Sequence, residues 1–181
     1  MEPISIRTEE IRTRMPQLRS GQQVLLSGTV YTARDAAHKR IVSILRGESS
    51  EALPFQLDGA VIYYAGPTPT KPGMVIGSCG PTTSSRMDPY TPLLLEQGLA
   101  GIIGKGERSQ AVVTALQEHQ AVYFCAVGGA GALAARHIIA CEEIAFQDLG
   151  CESVKQLKFK DFPLFVGIDA FGGSLFEKTN E

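Results

Sequence analysis

At 181 residues, with 44% hydrophobic and 20% charged content, the chain is long enough to bury one substantial core and short of what two need, so residues 1–181 are expected to form a single domain. Its 17 Lys and Arg against 19 Asp and Glu give no global field that would draw it to nucleic acid or to an anionic membrane surface. No stretch of about 18 apolar residues runs together and no apolar signal segment opens the chain, so a cytoplasmic location away from the membrane is expected.

After a polar lead-in over residues 1–20, Val24 to Tyr31 reads as a strand and Ala36 to Leu45 has the apolar spacing of a helix. Ala60 to Ala65 is the next strand. The prolines and glycines of Gly66 to Gly73 then force an exposed excursion. Met74 to Ser78 is expected as a short strand, Gly80 to Ser85 as a polar loop, and Pro89 to Gln97 as a helix ending at Gly98. Gly101 to Ile103 is a further strand, and Ser109 is placed to cap a helix running to about His119. The pattern repeats with Ala121 to Val127, a glycine turn at Gly128 to Gly131, and a helix over Ala132 to Ala140. An Ile144-Ala145 strand, a polar stretch around Lys155 to Lys160, a closing strand over Leu164 to Asp169 and a tail at 176–181 complete the chain. Strands alternating with helices imply an α/β domain with a largely parallel central sheet, and the chain ends leave room for a smaller β layer.

In open α/β sheets, ligands collect at the carboxyl ends of parallel strands, where loops and helix N-termini converge. Three cations occupy such exits: Arg34, Arg86 and Lys105. Together they suit a small ligand with two negative charges; as separate surface residues they are simply solvated. The sharpest segment is Gly80-Pro81-Thr82-Thr83-Ser84-Ser85-Arg86, with four consecutive hydroxyls beside a guanidinium. Arg can hold a carboxylate through two parallel hydrogen bonds, although Ser and Thr are also ordinary turn formers. Gly104-Lys105-Gly106 lacks the glycine spacing of a phosphate-binding loop. Asp35 is placed to cap the helix, and His38 either to carry a proton or to lie on a helix surface. Gly128 to Gly131 fits anion binding and close packing equally well. Cys79, Cys125, Cys141 and Cys151 are too widely spaced for a metal cage, so no metal is expected from this chain alone, and Cys125 reads as a buried structural thiol.

The segments Thr32 to Arg40, Asp58 to Thr68, Gly80 to Asp88, Gly104 to Gly106 and Ile168 to Gly172, in that order, resemble the β-type subunit of class I fumarate hydratases and L-tartrate dehydratases over roughly residues 20 to 175. The resemblance implies a swivelling β/β/α three-layer fold. It implies reversible hydration of fumarate to malate, with tartrate or a mesaconate-type diacid as alternative substrates and a non-catalytic dicarboxylate-binding domain as the other reading. In that family a [4Fe–4S] cluster is carried by a separate α-type part, so an α-type partner subunit is expected to supply it, in a heterotetramer. The isolated chain is expected to be inactive and able to self-associate as a homodimer. By the same resemblance Arg34, Arg86 and Lys105 grip the carboxylates, Thr82 lies near the carbon that loses a proton, and Asp35, His38 and Thr83 support them. Cys79 and Ser85 flank the motif at positions where substrate choice is open.

Overall fold

The computed structural model describes residues 2–176, so the tail expected at 176–181 lies outside the described residues save for Phe176. The lead-in is more structured than its polarity suggested. Ile4–Arg7 forms a four-residue strand, β1, parallel to the strand Gln23–Thr32, β2, and Ile11–Arg14 a short helix, α1. In β2 alternate residues from Val24 to Thr32 are buried, the period-two pattern of a half-buried strand. Helix α2 (Asp35–Leu45) buries Ala37, His38, Ile41 and Val42, one stripe at helical spacing. There follow β3 (Val61–Tyr63), α3 (Thr91–Glu96), β4 (Gly101–Gly104), α4 (Gln110–Glu118) and β5 (Val122–Cys125). Ser109 does cap α4, its side chain accepting from Val112 N.

Strands β2, β3, β4 and β5 pair in parallel, as the alternation of strands and helices implied. Beyond them the structure departs from an open sheet. The final strand, β7 (Val154–Ile168), runs antiparallel to both β5 and β2, so five strands close into a mixed barrel. The polar stretch around Lys155 to Lys160 therefore belongs to a strand of 15 residues. Its alternation is real but changes phase: Leu157 and Phe159 are buried, and then Phe162, Leu164 and Val166. Between them Asp161 has φ +48°, and three steps along β7 face two along β2, from Leu26 to Gly28. That is a β-bulge, which hides the period-two pattern from a simple reading of the chain.

Two further expectations are corrected. The segment from Met74 to Ser78 is not a strand: Met74 and Val75 are exposed, and the backbone bonds within its own loop, Thr68 N to Ser78 O at 3.0 Å. The helix expected over Ala132 to Ala140 is confined to α5 (Gly131–Arg136), and Ile138–Ala145 is strand β6, paired antiparallel with β7. The alanine-rich run has helical propensity, but pairing with β7 decides its second half.

The core lies in two layers. One fills the barrel, with Leu26, Val30, Tyr63, Phe124, Phe159 and Leu164. The other packs α2, α3 and α4 on the outer face of the parallel strands, with Ile41, Leu94, Val112 and Leu116 against Ile62 and Ile102. No described helix is long and apolar enough to cross a membrane.

Candidate functional site

Because β2, β3 and β4 are parallel, the segments that follow them emerge at one end of the barrel. Arg34 follows β2 and Lys105 follows β4. The segment carrying Thr82 and Arg86 does not follow a strand of its own. It is laid across the ends of β3 and β4: Thr82 N bonds Tyr64 O at 2.7 Å, and Ser84 N bonds Lys105 O at 3.0 Å. Residues Ala65 and Pro81 form an antiparallel bridge, and Thr83 and Lys105 a parallel one. Ser84 is fully buried, and its hydroxyl accepts from Lys105 N at 3.0 Å. Gly104 makes that approach possible, since a Cβ there would collide with the Ser84 side chain.

Arg34 and Arg86 meet on one carboxylate. Asp35 takes both Nε (3.0 Å) and Nη2 (2.8 Å) of Arg86, a two-pronged pair, and Arg34 Nε lies 3.3 Å from its Oδ2. Glu152 Oε1 lies 3.3 Å from the same Arg34 Nε. Each arginine is thus held along its Nε edge by a carboxylate of the protein. Burial alone would raise the Asp35 carboxyl, but hydrogen bonds and charge from Arg86, with help from Arg34, hold it below the usual carboxylate range. Two guanidiniums thus share two carboxylates, and Lys105 lies on the adjoining loop through its backbone contacts with Thr83 and Ser84. The Arg34 side chain is 25% exposed and that of Arg86 47%, so the face is open on one side.

Asp35 does not act as a helix cap. The cap position is Arg34, and the free amide of Ala36 is satisfied by Glu152 Oε2 at 2.7 Å. His38 is neither on the helix surface nor facing solvent: its ring is wholly buried, stacked edge-on against Tyr64, with Nδ1 3.1 Å from Arg34 O. A carbonyl only accepts, so Nδ1 carries the proton. Burial drives its pKa down to about 4. Thr82 is half-buried, whereas Thr83 and Ser85 are exposed. The turn at Gly128 lies alongside the Lys105 stem, and Cys79 N bonds Gly131 O at 3.0 Å, so these glycines serve close packing beside the site.

Sequence reasoning missed Glu152, which reaches Arg34 from 118 positions along the chain, and the buried pair Asp88–Arg108 behind the loop, at 2.7 Å. No local pattern marks either residue. The cysteines do not form a ligand set. All four are free, and no three Cys, His, Asp or Glu side chains converge among the described residues. Burial pushes the Cys79 thiol up to about 12 and raises those of Cys125 and Cys141, disfavouring the thiolate that binds metals. Cys125 is half-buried, inside β5.

A family model, Fumarase C-terminus, matches residues 1–179 of the chain. The chain belongs to that family of hydro-lyases, which joins class I fumarate hydratases to tartrate dehydratase β subunits. It is 37% identical over 175 residues to fumarate hydratase 2 of Leishmania major, covering 94% of this chain and 30% of that protein. Against the anaerobic class I fumarate hydratase of Escherichia coli it is 36% identical over 172 residues, covering 94% and 31%. A Methanocaldococcus jannaschii protein provisionally named L(+)-tartrate dehydratase subunit beta is 37% identical over 171 residues, covering 91% of this chain and 87% of that one. The chain thus spans about three-tenths of the length of the fumarate hydratases it matches.

Proposed function

We propose that this chain is the β-type, substrate-clamping part of an iron–sulfur-dependent hydro-lyase that reversibly hydrates fumarate to malate in the cytoplasm. The observation that carries this reading is the convergence of Arg34 and Arg86 on Asp35, with Lys105 tied to the same loop through Ser84. With their Nε edges fixed, both guanidiniums keep Nη groups for the carboxylates of a diacid, and such charge-assisted bonds contribute about 1.5–3 kcal/mol each when sheltered. A proton beside a carboxylate is weakly acidic, so fixed positive charge is needed where negative charge develops during its removal, and Lys105 supplies it. Thr82 stands near that carbon. A neutral hydroxyl is a weak base, so its task is to orient substrate while an acidic residue of the partner assists the proton transfer. Thr83 supports the loop, and His38, being neutral and enclosed, anchors the Arg34 backbone.

The [4Fe–4S] cluster that the class I relatives imply belongs, in this reading, to an α-type partner, since this chain's thiols do not converge. The openness of the face agrees with a site completed by another polypeptide, and an α2β2 heterotetramer follows, with self-association when the chain is alone. The whole chain is then one swivelling β/β/α three-layer module that closes on the partner. Tartrate is the second candidate substrate, favoured by the Methanocaldococcus relative and its matching length; a mesaconate-type diacid is a third.

Anaerobic co-expression with a cluster-bearing α-type chain, followed by hydration and dehydration assays with fumarate, malate, mesaconate and tartrate, tests the proposal. Activity with fumarate in the assembled protein only is the expected result, and Arg86→Lys should lower kcat/KM roughly 10- to 100-fold through loss of the two-pronged geometry. Full activity of this chain alone, or an Arg86→Lys enzyme indistinguishable from the parent, would overturn it.

A further inference from the structure

Arg108 is the least expected charge in the molecule. It lies three residues beyond Lys105, yet its side chain is 0% exposed, and that of its partner Asp88 only 12%. A charge taken out of water is costly unless its hydrogen bonds and counter-charge are nearly complete, and the surroundings of Arg108 show what holds it there. Its Nε donates to Asp88 Oδ1 at 2.7 Å and its Nη2 to Thr91 Oγ1 at 2.8 Å, while its buried Nη1 has no hydrogen-bond partner. The guanidinium carbon lies 4.9 Å from the centre of the Tyr123 ring and 5.4 Å from that of Tyr64, within cation–π range of both. One cation therefore touches the end of the Thr82–Arg86 segment, the start of α3, the exit of β3 and strand β5.

These contacts continue into the site. The Tyr123 hydroxyl lies 2.9 Å from Gly106 O and 3.0 Å from Ser84 Oγ. The carbonyl can only accept, so Tyr123 gives its proton to Gly106 and receives one from Ser84, whose oxygen in turn accepts from Lys105 N. On the other side, the second oxygen of Asp88 accepts from Ser109 N at 2.7 Å. Both loops that carry the ligand-facing cations, 84–88 and 105–109, are thus fastened to each other on either side of the Arg108 guanidinium. A side chain without exposed area cannot itself meet a ligand arriving from solvent.

We propose that Arg108 is a positioning residue of the dicarboxylate site, a buried tie that fixes Arg86 and Lys105 relative to one another. The proposal rests on the function proposed above. A lysine at the same place keeps the charge and the pairing with Asp88 but loses the fork that also reaches Thr91 and the flat face that stacks on the tyrosines.

The test uses the enzyme assembled with its α-type partner and compares Arg108→Met, Arg108→Lys, Lys105→Met and the double variant Arg108→Met/Lys105→Met. For the folded, assembled protein, Arg108→Met is expected to lower kcat/KM for fumarate about 100-fold, the effect of misplacing a binding group by about 1 Å, with Arg108→Lys in between. The double variant should lose less than the product of the two single losses, because Arg108 acts through Lys105 and Arg86. If Arg108→Met does not fold, Arg108→Lys with a reduced kcat/KM carries the proposal, and Arg108→Lys with parental kcat/KM sinks it. Thermal destabilisation with unchanged kcat/KM in both variants would leave a purely structural pair and overturn it, as would losses that multiply fully. A Lys105→Met enzyme of parental activity would instead sink the functional reading underneath, whereas Lys105→Met impaired and Arg108 variants normal would sink only the tie.

Discussion

Asp35 illustrates how one residue can decide the electrostatics of a site. Two guanidiniums brought together repel, and the Asp35 carboxylate between Arg34 and Arg86 offsets that repulsion while orienting both. In the proposed site, where the arginines grip substrate and transition state alike, Asp35→Asn should raise KM for the diacid roughly tenfold while leaving kcat within about threefold; steady-state kinetics of the assembled enzyme would check this, and an unchanged KM would remove Asp35 from the arrangement. His38 makes a different prediction. Enclosed and neutral, it takes up a proton only near pH 4, whereas an unfolded histidine does so near 6.5. Between those values the unfolded state binds more protons, so stability is complete above pH 6.5 and is lost as pH falls towards 4, by up to about 1.4 kcal/mol per pH unit. Denaturant midpoints measured across that window should decline in the parent and flatten in His38→Gln.

At the scale of elements, the site depends on how closely the loop at 82–88 approaches the exit of β4. Gly104 lies in that contact, where an added Cβ would meet the Ser84 side chain and come within 3.2 Å of the Tyr64 ring. Both neighbours are buried, so they cannot swing away. Gly104→Ala should cost about 1–3 kcal/mol by chemical denaturation, the usual penalty for overfilling a packed interior, and should impair turnover beyond what stability explains, because Ser84 positions Lys105. Parental stability in that variant would mean that the contact is looser than its geometry states. The strand–helix alternation, the cap at Ser109 and the cationic exits at Arg34 and Lys105 were legible from residue patterns, whereas Arg86 follows no strand. The strand expected at 74–78 was not real: Met74 and Val75 face outward, only Ile76 reaches the core, and the loop satisfies its own backbone.

For the whole molecule, β7 is the element that makes the sheet a barrel, since it pairs with β2, β5 and β6. Its Phe162 stacks on Phe159 with ring centres 4.2 Å apart and meets Tyr63 at 5.7 Å inside the closed core. Phe162→Ala should lower the unfolding free energy by about 3–5 kcal/mol. Because Ile168 of the same strand packs in the outer layer, the loss should appear in one cooperative transition seen by both near- and far-ultraviolet circular dichroism. Two separated transitions would show that the layers unfold independently.

Sequence by itself determined the α/β character with its parallel strands, the positions of Arg34 and Lys105 after their strands, and the family resemblance. These rest on local spacing and on ordered motifs that survive without knowledge of the fold. Tertiary structure alone decided that the sheet closes, that Asp35 joins Arg34 to Arg86, that Glu152 supports them, and that Arg108 lies buried behind the site. The reason is physical: a bulge shifts the phase of β7 beyond the reach of simple alternation, and ion pairs between residues 51 to 118 positions apart leave no periodic trace in the chain that makes them.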